Sequence, residues 1–127
     1  MRRFMYDKEL VVEKLTQVSD ALGRVARRFE GIKSAEDFLT TEQGQDMLDG
    51  ICMMFIAVGE NLKSIDRMTE SKILKQYPEV NWRGVKGVRD VISHQYFNID
   101  AEEIFYICNH DLDQLRLTIS KMIQDIK

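Results

Sequence analysis

Along residues 7 to 30, apolar side chains recur at steps of four, three, four, three and four: Val11, Leu15, Val18, Leu22, Val25 and Phe29. Such steps keep the side chains on one face of a helix, so the pattern predicts a long amphipathic helix. Gly31, directly after this run, predicts its stop. Residues 32 to 41 lose the period and read as a connector, with Phe38 and Leu39 as apolar plugs. A second stripe, Met47, Ile51, Met54, Val58, Leu62 and Ile65, predicts a helix from about residue 43 to about 66. Its middle, "ICMMFIAVG", is apolar nearly all round, which predicts a central position.

A polar stretch with a short helix at about 69 to 76 leads to Pro78, which closes it because the residue before a proline is pushed out of helical geometry. Asn81 is placed to cap a third helix reaching about Gln95. Gly84 and Gly87 stand about one turn apart in it and are expected to let another backbone come close. Asp100, with Glu103 three residues on, predicts the start of a fourth helix carrying Ile104, Cys108, Leu112, Leu115, Ile119, Met122 and Ile126. The expected fold is an all-α, up-and-down bundle of four main helices plus a short connecting helix, in one domain over residues 1–127.

Composition agrees with this and narrows the classes. The chain is 44% hydrophobic and 31% charged with a single proline, a balance that suits helices and a buried core. No apolar run is long enough to span a membrane. The basic start "MRRFMYDKEL" lacks the apolar stretch of a signal peptide. Cys52 and Cys108 each fall inside an apolar helical stripe, so two buried thiols in a reducing, cytoplasmic setting are expected rather than a disulfide or a metal pair.

The net charge of −3 is unevenly spread. Residues 63 to 89 carry Lys63, Arg67, Lys72, Lys75, Arg83, Lys86 and Arg89 against Asp66, Glu70 and Glu79, so the rest of the chain is strongly acidic. A local basic region of this kind either attracts a polyanion or is simply a solvated connector.

"GVKGVRDVISHQYFNID" brings candidate chemistry into the third helix. Histidine is the side chain whose charge changes near neutral pH, so His94 is suited to take a proton from a ribose 2′-hydroxyl or to give one to a leaving oxygen. Arg89 is suited to hold a phosphate and the charge of the transition state. Asp90, four residues before His94, is placed to fix the imidazole tautomer, and Tyr96 to bind phosphate or stack on a base. These groups need no metal and no cofactor, and no metal-ligand spacing is present. On a straight helix Arg89 and His94 point about 140° apart, so a second copy packed across a two-fold axis is expected to bring the groups into one cleft. The plainer reading is a structural Asp–His pair beside an interface arginine.

The same residues carry a resemblance. "RDVISHQYF" is similar to the Arg-x4-His-x-Tyr signature of HepT-like toxins in the HEPN superfamily. "YPEVNWRGVKGVRD" upstream and "IAVGEN" in the second helix resemble other parts of the family pattern, with Asn61 where the family has alanine. The resemblance implies a dimeric helical ribonuclease toxin acting on RNA, with transfer RNA the family-based guess. It also implies a partner, a nucleotidyltransferase antitoxin of the MntA type that transfers AMP to the motif tyrosine. Arg89 and His94 then become the catalytic pair, Asp90 the polar residue after the arginine, and Tyr96 the AMP acceptor. Glu60, an acid within an apolar helix, is expected to pair with a cation such as Arg89, in a structural role or as support for the site. Arg83 and Lys86 are candidate RNA contacts, and His110 is expected on the surface. A different reading keeps the fold and loses the activity: a non-catalytic HEPN-like dimer that binds a nucleotide or the transferase and serves only as its partner or substrate.

Overall fold

The computed structural model describes residues 6–127, with the side chain of Tyr96 outside that description. The reading of the N-terminal residues as lacking a signal therefore falls partly outside it. Five α-helices follow one another: α1 (Lys8–Phe29), α2 (Glu42–Thr69), α3 (Trp82–His94), α4 (Ala101–His110) and α5 (Leu112–Ile126). Three short 3₁₀ turns join them, at Ala35–Phe38, Leu74–Gln76 and Tyr96–Asn98. Among the described residues there is no strand, so the all-α expectation holds. No helix among them is long and apolar enough to cross a membrane.

The caps explain where the helices begin. Asp7, Thr41, Asn81 and Asp100 each accept a hydrogen bond from a backbone N–H of the first turn, which would otherwise lack a partner. Asn81 and Asp100 are the two caps expected from the sequence. The α1 stripe is buried from Val11 to Val25, and Phe38 is a fully buried plug, whereas Leu39 is half exposed and plugs nothing.

α2 takes the middle place, packed on α1 along one side and on α3 along the other, while α5 lies on α1. Its apolar girdle is not wholly enclosed, because Met53 is 59% exposed. α2 also runs past residue 66 to Thr69. It ends where Glu70 and Ser71 take left-handed backbone angles (φ 53° and 62°), letting the Ser71 N–H donate to the Asp66 carbonyl at 2.8 Å.

The expected fourth helix is two. Its apolar stripe keeps its phase from Ile104 to Met122, but Asn109, His110 and Asp111 are poor helix formers in succession, and the chain bends at Asp111. Cys52 and Cys108 are free and buried, as expected. Burial pushes both thiols up to about 12, so neither is a reactive thiolate at neutral pH.

Candidate active site

The residues before α3 fasten its start. Trp82 is buried and its indole N–H donates to the Tyr77 carbonyl at 2.9 Å, spanning Pro78. The Tyr77 hydroxyl in turn donates to Asp125 of α5 at 2.8 Å. Tyr77 is pushed up to about 12, by burial first and then by its bond to Asp125. "YPEVNW" is thus a mooring for α3 and brings no reactive group of its own. Along α3 only Trp82 and Ile92 are buried, leaving the polar face for other work.

Gly59 sets how closely α3 approaches α2. A Cβ at that position would lie 2.6 Å from the Cβ of Arg89 and 3.2 Å from its Cγ. The expected close-approach glycines are not the ones used. Gly87 faces open space, and Gly84 lies against the side chain of its own cap, Asn81.

Beside Gly59, charges on the two antiparallel helices interlock. Arg89 Nη2 pairs with Glu60 Oε1, and Lys86 pairs with Asp66. Arg89 Nη1 donates to Asp90 Oδ1 at 2.9 Å, while Lys63 Nζ donates to Oδ1 and Oδ2 of Asp90 at 3.1 and 3.3 Å. The bond from Arg89, followed by that from Lys63, holds the Asp90 carboxyl below the usual carboxylate range. The bond to Asp90 likewise raises Arg89 above its ordinary value, against the opposing effect of burial.

This network revises two expectations. Asp90 does anchor His94, but not with its carboxylate. The imidazole Nδ1 meets the backbone carbonyl of Asp90 at 2.8 Å, one helical turn back, while the Asp90 carboxylate serves Arg89 and Lys63. A carbonyl only accepts, so Nδ1 carries the proton in the neutral ring and Nε2 keeps its lone pair. Second, the basic region is largely neutralised: Lys63, Lys72, Lys86 and Arg89 all sit against carboxylates. Lys86 is therefore committed to Asp66, whereas Arg83 stays exposed and available to an anion.

Glu60 pairs with Arg89 as expected. Asn61 donates to the Lys14 carbonyl and to Gln17, tying α2 to α1, a use that alanine could not serve. His110 is a surface residue stacked on Tyr106. The Tyr96 backbone enters the 3₁₀ turn directly after α3; its side chain, proposed above as an AMP acceptor, lies outside the described residues.

Arg89 and His94 both reach solvent on the same helix but do not bond to each other: Arg89 turns toward α2, and His94 is exposed at the last turn. Lys63 and Asp66 entered the sequence reading only as charges of the basic region, and their part in this network was missed. The signal was the alternation of Glu60, Lys63 and Asp66 at steps of three, matching Lys86, Arg89 and Asp90 in α3. Among the described residues, no three of His, Cys, Asp and Glu gather in a way that could hold a metal ion.

Comparison with known proteins points one way. The family model described as ribonuclease HepT-like matches residues 18–122. A protein of Methanocaldococcus jannaschii named "putative RNase" is 24% identical over the whole of this chain and 90% of its own length. Two others of the same name and organism are 27% and 26% identical over 70 residues, 55% of this chain. In those two the matched part is about half of the relative, 54% and 57% of its length. No solved structure matches.

Proposed function

Because the chain belongs to the HepT-like ribonuclease family, we propose that it cleaves RNA with Arg89 and His94, without a metal, as the toxin of a toxin–antitoxin pair in the cytoplasm. His94 Nε2 takes the proton of a ribose 2′-hydroxyl, whose oxygen attacks the adjacent phosphorus. The bond from phosphorus to the 5′-oxygen breaks, leaving a 2′,3′-cyclic phosphate, and the 5′-oxygen receives a proton from the imidazolium of a second copy. Arg89 holds the phosphate oxygens as their charge grows. What supports the pairing of two copies is that the two side chains leave α3 in different directions.

The observation that carries this reading is the hydrogen bond of His94 Nδ1 to the Asp90 carbonyl, which leaves the basic nitrogen of the ring on an exposed surface with no partner among the described residues. Asp90 then acts through its backbone on His94 and through its carboxylate on Arg89. The names of the archaeal relatives support RNA as the substrate. Regulation follows the family pattern: a nucleotidyltransferase antitoxin of the MntA type moves AMP from ATP to Tyr96, placing phosphate charge and bulk two residues from His94.

Expression of the intact chain slows growth and degrades RNA in this reading, and Arg89→Ala or His94→Ala abolishes both effects. Equal growth and equal RNA integrity in all three would sink it. One observation favours the alternative of a non-catalytic partner or substrate: both terminal nitrogens of Arg89 are already taken by carboxylates. Mass spectrometry of Tyr96 after incubation with an MntA-type nucleotidyltransferase and ATP, alongside RNA cleavage by the unmodified protein, separates the two. Modification without any cleavage supports the partner alone.

A further inference from the structure

A guanidinium binds a phosphate best through an edge, with two parallel N–H groups on two oxygens. The Nε and Nη2 of an arginine form such an edge. In Arg89 it is half filled: Nη2 meets Glu60 Oε1, while Nε is shielded from solvent and has no partner among the described residues. A shielded donor without an acceptor is costly, so this geometry is poised for a ligand that supplies a second oxygen.

The two carboxylates on Arg89 differ in how firmly they are held. Asp90 adjoins Arg89 in the chain and is gripped by Lys63 through both oxygens. Glu60 has Arg89 as its sole partner among the described residues and is 47% exposed on its side chain. Glu60, Lys63, Arg89 and Asp90 together carry no net charge. Exchange of the Glu60 carboxylate for one phosphodiester preserves that balance, whereas loss of Lys63 would leave the cluster negative and repel the newcomer.

Resting on the ribonuclease reading, we propose that Glu60 is a displaceable occupant of the phosphate-binding edge of Arg89, and that Lys63 is the positioning residue holding the opposite edge. An RNA phosphate takes the place of Glu60 on Nη2 and reaches Nε as Glu60 swings out. Asp90, braced by Lys63, keeps the guanidinium from following. The resting protein thus guards its own arginine with an internal carboxylate.

The test uses the full-length protein and two probes: a 2′-O-methyl RNA oligonucleotide, which cannot be cleaved, and inorganic phosphate. Glu60→Gln is expected to tighten the oligonucleotide about fivefold, the scale of one partly exposed ion pair, and to lower KM more than it changes kcat on cleavable RNA. Lys63→Met is expected to weaken binding by a similar factor, and Lys63→Arg to restore it. Phosphate should shift the Arg89 Nε–Hε resonance of the wild-type protein, and at lower concentration in Glu60→Gln. Unchanged or weaker binding by Glu60→Gln at an unchanged unfolding midpoint overturns the proposal. So does a wild-type Arg89 resonance indifferent to phosphate, a measurement that stands even if the variants fail to fold. Tighter binding by Glu60→Gln without cleavage by the wild type keeps the exchange and removes the ribonuclease. Cleavage with no effect at Glu60 or Lys63 does the reverse.

Discussion

The two sides of α2 are built from opposite materials. Toward α1 and the core it presents buried aliphatic and aromatic side chains, among them Ile51, Phe55, Leu62 and Ile65, and it meets the buried face from Val11 to Val25. Along the partly exposed edge it shares with α3 it presents Gly59 and the charges of Glu60, Lys63 and Asp66. Apolar burial is indifferent to direction and supplies most of the stability. Ion pairs that still touch solvent supply little stability and much orientation. The first side therefore holds the fold, and the second aims the side chains of α3.

The largest effect should come from the apolar side. Leu22 is fully buried, and Leu22→Ala should cost about 3 kcal/mol from lost burial and the cavity left behind. Urea denaturation measures this. Cleavage by the fraction that remains folded should change little, and a selective loss of cleavage would erase the contrast between the two sides.

Gly59→Ala should show the opposite profile. Overpacking costs about 2 kcal/mol, and the gain in helix propensity over glycine returns about 1 kcal/mol. The added carbon meets Arg89 Cβ, which cannot turn away as the end of a long side chain could, so α3 itself must shift. A small fall in stability with a large fall in RNA cleavage is expected. Normal cleavage would show that the spacing of the two helices is not set here.

The pH dependence of stability separates the two sides most finely. Cys52 and Cys108, in the core, have thiols pushed up to about 12 chiefly by burial. The folded state keeps protons that the unfolded chain sheds above about 8.5. This contribution is complete below that value and lost as pH rises toward 12. Asp90 has the opposite sign. Its folded carboxyl is held low by Arg89 and then Lys63, so its contribution is present above the unfolded value of about 3.9 and is lost as pH falls through the folded value. Asp90→Asn should flatten the acid limb of the curve of unfolding midpoint against pH, and Cys52→Ala the alkaline limb. An acid limb untouched by Asp90→Asn would show that its ion pairs add nothing in solution.

The apolar half of the molecule was legible because its signal is periodic and local. Val11 to Val25 announced α1, and Asn81 and Asp100 announced two helix starts from their own side-chain chemistry. What remained hidden depends on a second element. Whether Gly59, Gly84 or Gly87 receives a neighbouring helix is decided by packing between helices, not by glycine itself. The length of α2 was hidden because its end rests on left-handed angles at Glu70 and Ser71, residues that do not advertise them. At Asp90 the right residue was found with the wrong group, since an i,i+4 rule pairs side chains and is silent on a carbonyl one turn back.

The bond between Tyr77 and Asp125 has a temporal side. Its partners are 48 residues apart in the chain, and a ribosome delivers them in that order. While α5 is still being made, α3 lacks one of its fixed points, and the arginine and histidine it bears have no assured aim. A protein proposed to be harmful to its own cell would then gain its edge only once α5 has been made and Asp125 has met Tyr77.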